Sequence, residues 1–142
     1  MHRFVPVFFY GGLINPKMLE KLGVSARTQA VAVLLGYQLT ISPWVNVEPS
    51  DGGQVYGVVM DMTQAELDKI YSQLKVKYVP VAVTVSQGDQ TVTALSYIAD
   101  EPMIPAQAEE GHVRMLLDAA EQRQFPEWYL ERIRSYLPPH SK

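Results

Sequence analysis

The sequence contains no cysteine. That removes disulfides, thiolate nucleophiles and cysteine-bound metals, and it leaves the redox compartment open. Histidine is scarce too. His2, His112 and His140 stand far apart with no ligand spacing, so no metal site is expected and all three read as terminal or surface residues. No serine lies in a G-x-S-x-G context and no G-K-[ST] follows a glycine cluster, which removes an esterase-type nucleophile and a phosphate loop. Charge of one sign is absent as a feature: the net charge is −3, and no basic run interleaves with aromatics, so nucleic acid is not the expected partner. No apolar run is long enough to cross a bilayer. The N-terminal stretch MHRFVPVFFYGGLI leans toward a secretion signal, but Pro6 and a glycine pair interrupt it and no small-x-small cleavage site follows. The expectation is a cytoplasmic protein with no membrane association and no cofactor.

What is present is enough apolar material for a substantial core. The chain has 142 residues, 47% hydrophobic and 19% charged, the range of one folded domain and not of a disordered chain. No repeat, low-complexity tract or linker divides it, so residues 1–142 read as a single α+β domain. Residues 4–9 read as a strand, with Pro6 where an edge would tolerate it. Asn15 and Pro16 suit the cap and first position of a helix over 16–22, and Gly23 suits its end. Residues 30–41 form a β-rich run with a bend or bulge at Gly36. The cluster Pro49-Ser50-Asp51-Gly52-Gly53 reads as a turn, before a strand over 54–61. Thr63 and Glu66 have capping-box spacing and open a helix over 64–74. Residues 78–86 and 91–98 read as a hairpin. From residue 106 a helix carries Val113, Leu116, Leu117 and Ala120 on one face, and Pro126 starts a second helix that Pro138-Pro139 stops. Glu109-Glu110 read as a solvated helix start, Asp51, Asp61 and Asp68 as turn and helix-end residues, and Trp128 and Tyr129 as core.

The stretch FFYGGLINPKML, residues 8–19, holds the clearest functional signal. A strand runs into two adjacent glycines and then directly into a helix. Bare backbone there lets main-chain N–H groups face a cavity with no side chain in the way.

In the order of its segments the chain resembles the gamma-glutamylcyclotransferase-like family, which includes AIG2-like proteins. Those proteins open with a loop of the type Y-G-S-N-L-N-P, matched by Tyr10-Gly11-Gly12-Leu13-Ile14-Asn15-Pro16. A G-Y-x-L segment is matched by Gly36-Tyr37-Gln38-Leu39, an N-I-x-P-S-like stretch by Asn46-Val47-Glu48-Pro49-Ser50, and a V-x-G strand by Val55-Tyr56-Gly57. Leu67-Asp68 and Tyr78 stand at the spacing of the L-D-x-x-E-G helix and the tyrosine that follows it, and a late L-P-x-x-Y helix is echoed by Phe125-Pro126-Glu127-Trp128-Tyr129. The resemblance spans almost the whole chain. It implies a β-barrel with a central helix and C-terminal helices. It also implies a ligand cradle at Tyr10, Gly11, Gly12, Leu13 and Ile14, where backbone amides hold the carboxylate of a gamma-glutamyl group. Converging N–H groups at a helix start are suited to an anion. The activity implied is release of 5-oxoproline from gamma-glutamyl amines or amino acids. The alternative is a non-catalytic module that binds a small carboxylate or gamma-glutamyl-like ligand.

One part of the pattern is broken. The family's catalytic Glu falls on Tyr71, and the following glycine is Ser72. A phenol is a poor base at neutral pH. A displaced carboxylate is therefore sought, with Glu48 the leading candidate and Glu66 and Asp68 next; Tyr71 itself could act as a donor. Nothing in the sequence fixes an oligomeric state.

Overall fold

The computed structural model describes residues 3–24, 27–41, 44–72, 77–99 and 110–137. Its elements in chain order are β1 (Val5–Phe9), a 3-10 turn (Gly12–Ile14), α1 (Pro16–Lys21), β2 (Ala30–Ile41), β3 (Val45–Met62), α2 (Gln64–Tyr71), β4 (Tyr78–Gln87), β5 (Gln90–Ala99), α3 (Glu110–Gln122) and α4 (Glu127–Arg134). The strands close into a barrel in the order β1-β3-β2-β4-β5, which realises the expected α+β barrel with a central helix and C-terminal helices. Neighbouring strands run antiparallel except at the seam, where β1 meets β5 in parallel through Val7 and Leu95.

The expected turn at residues 49–53 is instead part of the 18-residue strand β3. Leu35 pairs with Gln54 and Tyr37 with Pro49, so residues 50–53 stand opposite Gly36 alone. This irregularity bends both strands without ending either. Gly36 and Gly52 take φ of +85° and +76° there, a region that a side chain disfavours. The turn-forming residues 50–53 have no partner on β2, but the pairing of Pro49 and Gln54 on either side of them keeps the strand continuous. Gly57 is required for another reason. A Cβ on it would lie 2.2 Å from the Phe9 carbonyl oxygen, so only glycine lets β1 approach β3 so closely.

Pro6 is not on an edge, because β1 has a partner on both sides. It lies opposite Asp61, whose carbonyl accepts from the Arg27 guanidinium at 3.0 Å. That register asks for no donor from Pro6, so proline is tolerated inside a closed sheet.

The helices start and stop where their ends demand. The Asn15 side chain accepts from Lys17 N–H at 3.1 Å, with Pro16 at the first helical position. Thr63 and Glu66 form the reciprocal capping box, at 3.2 Å and 2.9 Å. Helices α3 and α4 pack on the barrel and bury Val113, Leu116, Leu117, Tyr129 and Ile133. Arg132 ties α4 down by donating to the Leu39 carbonyl at 3.0 Å. Trp128 differs from expectation: it is 49% exposed and meets the Tyr56 ring edge-on at 6.0 Å, while Tyr129 beside it is fully buried. Glu109, the Pro138-Pro139 stop, the 106–109 start of the expected helix and the 73–74 end of α2 lie outside the described residues.

Helix α3 ends in a Schellman motif. Phe125 N–H donates to Ala120 at 3.1 Å and Gln124 N–H to Glu121 at 3.0 Å. The left-handed position, φ +59°, is occupied by Gln124, where glycine would carry no Cβ penalty. Gln124 is exposed. Gln124→Gly is therefore expected to raise stability by about 0.5–1 kcal/mol, the left-handed penalty less the extra chain entropy of glycine. Chemical denaturation checks this, and a loss of stability would contradict it.

Candidate functional site

Strand β1 delivers Tyr10 and the glycine pair to the mouth of a cavity of about 200 Å³. That is several times the ~30 Å³ share of one water, so the cavity is a space for a small organic group. Its wall is made by Phe8, Phe9 and the loop 10–13, by Met18 and Leu22 from the α1 segment, by Trp44 and Val45, by Tyr71, Tyr78 and Tyr97, and by His112 and Met115 of α3. Among these described residues there is no Asp, Glu, Lys or Arg.

Gly12 and Leu13 begin the 3-10 turn. Its only internal bonds leave from Ile14 and Asn15, whose N–H groups donate to the Gly11 and Gly12 carbonyls at 3.0 Å and 2.9 Å. The amides of Gly12 and Leu13 precede the first donor of the turn and have no intrahelical acceptor. The backbone does not demand glycine here: neither Gly11 nor Gly12 takes a positive φ. A Cβ on Gly12 would meet only Met18 Cγ, at 3.9 Å. A simple corner would accept alanine at position 12, and glycine keeps the approach to its amide open.

The loop is held from behind by α3. Asn15 Nδ2 donates to the Met115 carbonyl at 3.1 Å, and the Arg123 guanidinium donates to the Ile14 carbonyl at 2.8 Å. Ile14 itself is fully buried and does not line the cavity.

The opposite wall is a tyrosine cluster. Tyr10 donates to the Tyr97 carbonyl at 2.6 Å and Tyr78 to the Val45 carbonyl at 2.6 Å. Tyr71, the last residue of α2, stacks in parallel on the Tyr97 ring at 3.9 Å. Its hydroxyl makes no hydrogen bond among the described residues, and Tyr71 is one of the residues that line the cavity. Burial pushes the phenols of Tyr71 and Tyr10 well above the ordinary tyrosine value, with neighbouring tyrosines adding to the effect. Burial pushes Tyr78 up to about 12. These phenols are neutral at physiological pH and serve as hydrogen-bond donors or acceptors, not as bases.

Of the residues singled out from the sequence, Tyr10, Gly11, Gly12, Leu13 and Tyr71 meet in this cavity. The carboxylates do not. Glu48 is exposed, one position past the buried Val47, and pairs with Gln38 on the barrel wall. Asp68 is exposed and bonded by Gln64 at 2.9 Å. Glu66 is committed to the Arg27 guanidinium, two bonds of 2.7 Å, and to its own helix cap. Those bonds to Arg27 hold its carboxyl down at about 2. The strand alternation that buries Val47 turns Glu48 outward, and Glu66 and Asp68 sit on the two flanks of the α2 face that carries the buried Leu67 and Ile70. His112, expected at the surface, is half-buried on the cavity wall. The signal for it was present: it lies three residues before Met115, on the same helix face.

The gamma-glutamyl cyclotransferase, AIG2-like family model matches residues 7–129. The chain belongs to that family. The family fold extends through solved structures. The chain is similar to a gamma-glutamyl cyclotransferase (TM-score 0.82, 20% identity, covering 96% of this chain and 89% of that one). It is also similar to an uncharacterized human protein (0.81, 20%, 95% and 89%) and to a yeast gamma-glutamyl cyclotransferase specific to glutathione (0.66, 12%, 94% and 95%). No curated protein sequence matches the chain. At these identities the structures establish the fold. No helix among the described residues is long and apolar enough to cross a membrane.

The position of Glu66 predicts an acid dependence unrelated to catalysis. Its folded pKa lies below the ordinary value of 4.5, so its stabilisation is present above that value and lost as pH falls toward about 2. The pair with Arg27 is partly solvated. Glu66→Gln is thus expected to cost only about 0.5–1 kcal/mol at pH 7, and the gap from wild type should close between pH 4.5 and 2. Denaturation series across that range check this; a constant gap would contradict it.

Proposed function

We propose that this protein is a cyclotransferase of small gamma-glutamyl compounds, releasing 5-oxoproline, with the amides of Gly12 and Leu13 holding the substrate's carboxylate. One observation carries the reading: two N–H groups without intrahelical acceptors belong to residues that line a cavity with no Asp, Glu, Lys or Arg among its described lining residues, at a position where the fold does not need glycine. In a site of low polarity such donors attract an anion more strongly than they would in water.

In the reaction the substrate's α-amine attacks its own γ-carbonyl carbon, the five-membered lactam closes, and the γ-amide C–N bond breaks. Because both partners are in one molecule, holding the chain in a folded-back conformation supplies much of the rate. The neutral Tyr71 hydroxyl fits a donor role toward the carbonyl or leaving group. The sequence grounds given above favour a cytoplasmic location for this single domain, and a small molecule rather than nucleic acid as its partner.

A second reading, a binding module without turnover, draws on the stacking of the Tyr71 ring on Tyr97, at the residue that the sequence resemblance sets where the family has a carboxylate.

Purified protein incubated with gamma-glutamyl amines and gamma-glutamyl amino acids is expected to release 5-oxoproline, and calorimetry is expected to detect 5-oxoproline binding. Gly12→Val is expected to abolish both while unfolding close to wild type, since a Cβ at position 12 meets nothing nearer than Met18 Cγ at 3.9 Å. Binding without release selects the binding module. Undiminished binding in Gly12→Val removes the cradle.

A further inference from the structure

We infer that His112 is the proton-transfer residue of this site, taking the place left by the family carboxylate. The assignment rests on reading the cavity as a gamma-glutamyl site. Proton transfer between two nitrogens of the substrate needs a side chain that both accepts and returns a proton near neutral pH. Among the described lining residues the tyrosines are neutral donors, Trp44 carries only a donor, the remaining side chains are apolar, and His112 alone carries an imidazole.

Its placement suits the task. His112 sits in the first turn of α3, one helical turn before Met115, and both line the cavity. The Met115 carbonyl is bonded to the Asn15 side chain, so the same stretch of helix that carries the imidazole is tied to the loop bearing the Gly12 and Leu13 amides. The ring packs against the Trp44 indole, centroids 5.5 Å apart and planes at 41°, which limits its rotation. Of the carboxylates considered from the sequence, Glu48 lies on the barrel exterior, Glu66 in the Arg27 pair and Asp68 on the exposed side of α2; none of them lines the cavity. Burial, and after it the charge of Asp68, pushes the Tyr97 phenol up.

The step balances without water or any co-reactant. An imidazole nitrogen of His112 takes a proton from the α-amine as that nitrogen bonds to the γ-carbonyl carbon. The resulting imidazolium gives the proton to the leaving nitrogen as the old C–N bond breaks. The products are 5-oxoproline and a free amine, and His112 ends neutral.

The test compares wild type, His112→Gln and His112→Ala with the gamma-glutamyl substrate on which wild type is fastest. Both variants are expected to lose about 10²–10⁴-fold in kcat, with KM and 5-oxoproline binding within about threefold of wild type, and added imidazole should restore part of the His112→Ala rate. The glutamine variant keeps a planar polar group against Trp44, so one folded variant remains if the alanine cavity is not tolerated. Retention of kcat in both variants overturns the assignment and leaves the cyclotransferase reading standing. Parallel losses of kcat and 5-oxoproline binding without imidazole rescue also overturn it, in favour of a packing role. A wild type that binds 5-oxoproline but turns over no gamma-glutamyl compound defeats the enzymatic reading, and the His112 assignment falls with it.

Discussion

The structure depends on how β1 is held to β5. Every other seam of the barrel is an antiparallel ladder, but this one is parallel and rests on the pairing of Val7 with Leu95. Parallel pairing is the weaker kind. Side chains make up the difference: the buried Ser96 hydroxyl donates to the Phe8 carbonyl at 3.3 Å, and the Tyr10 hydroxyl donates to the Tyr97 carbonyl at 2.6 Å. Each such bond contributes about 1 kcal/mol net and would cost more if broken on one side only. The second bond also shapes the site. It fixes Tyr97, on whose ring Tyr71 is stacked, so barrel closure and the cavity's tyrosine wall are one construction. Tyr10 does structural work at a position the family motif marks as part of the ligand loop.

The loop that follows is controlled from outside the barrel. Helix α3 holds it at two points, Met115 through Asn15 and Arg123 through the Ile14 carbonyl. The Gly11 and Gly12 carbonyls are spent within the 3-10 turn, and the Ile14 carbonyl accepts from Arg123. The amides of Gly12 and Leu13 have no acceptor within the turn. With no charged side chain among the described lining residues, the proposed function leaves recognition of an anion to these dipoles and the inferred proton transfer to the imidazole that the same helix supplies. On that reading one helix positions both halves of the chemistry.

Much of the architecture was legible in the sequence because it is written in local chemistry. Asn15-Pro16, Thr63 with Glu66, and the alternation of β4 and β5 each specify an element by short-range physics. The difference at residues 49–53 has the opposite origin: a turn-forming cluster becomes an irregularity inside β3 because the residues on either side of it pair with β2, a long-range effect. Of the site, the loop and Tyr71 were visible through the order of family motifs. Tyr97 was not, since it comes from β5, which meets β1 only when the barrel closes, and His112 showed only in its helical spacing to Met115, with nothing local to tie that helix to a loop 100 residues earlier. Glu48 was misjudged because sequence proximity to a motif says nothing about which face of a strand a side chain takes.

The central claim is that the backbone of Gly12 and Leu13 binds a carboxylate. It is tested most directly by following the backbone amide resonances of the ¹⁵N-labelled protein during titration with 5-oxoproline. The account predicts that the Gly12 and Leu13 N–H protons move downfield together and saturate with one dissociation constant, as expected for amides that acquire a charged acceptor. Saturable shifts confined to other parts of the chain, with these two amides unmoved, would contradict it.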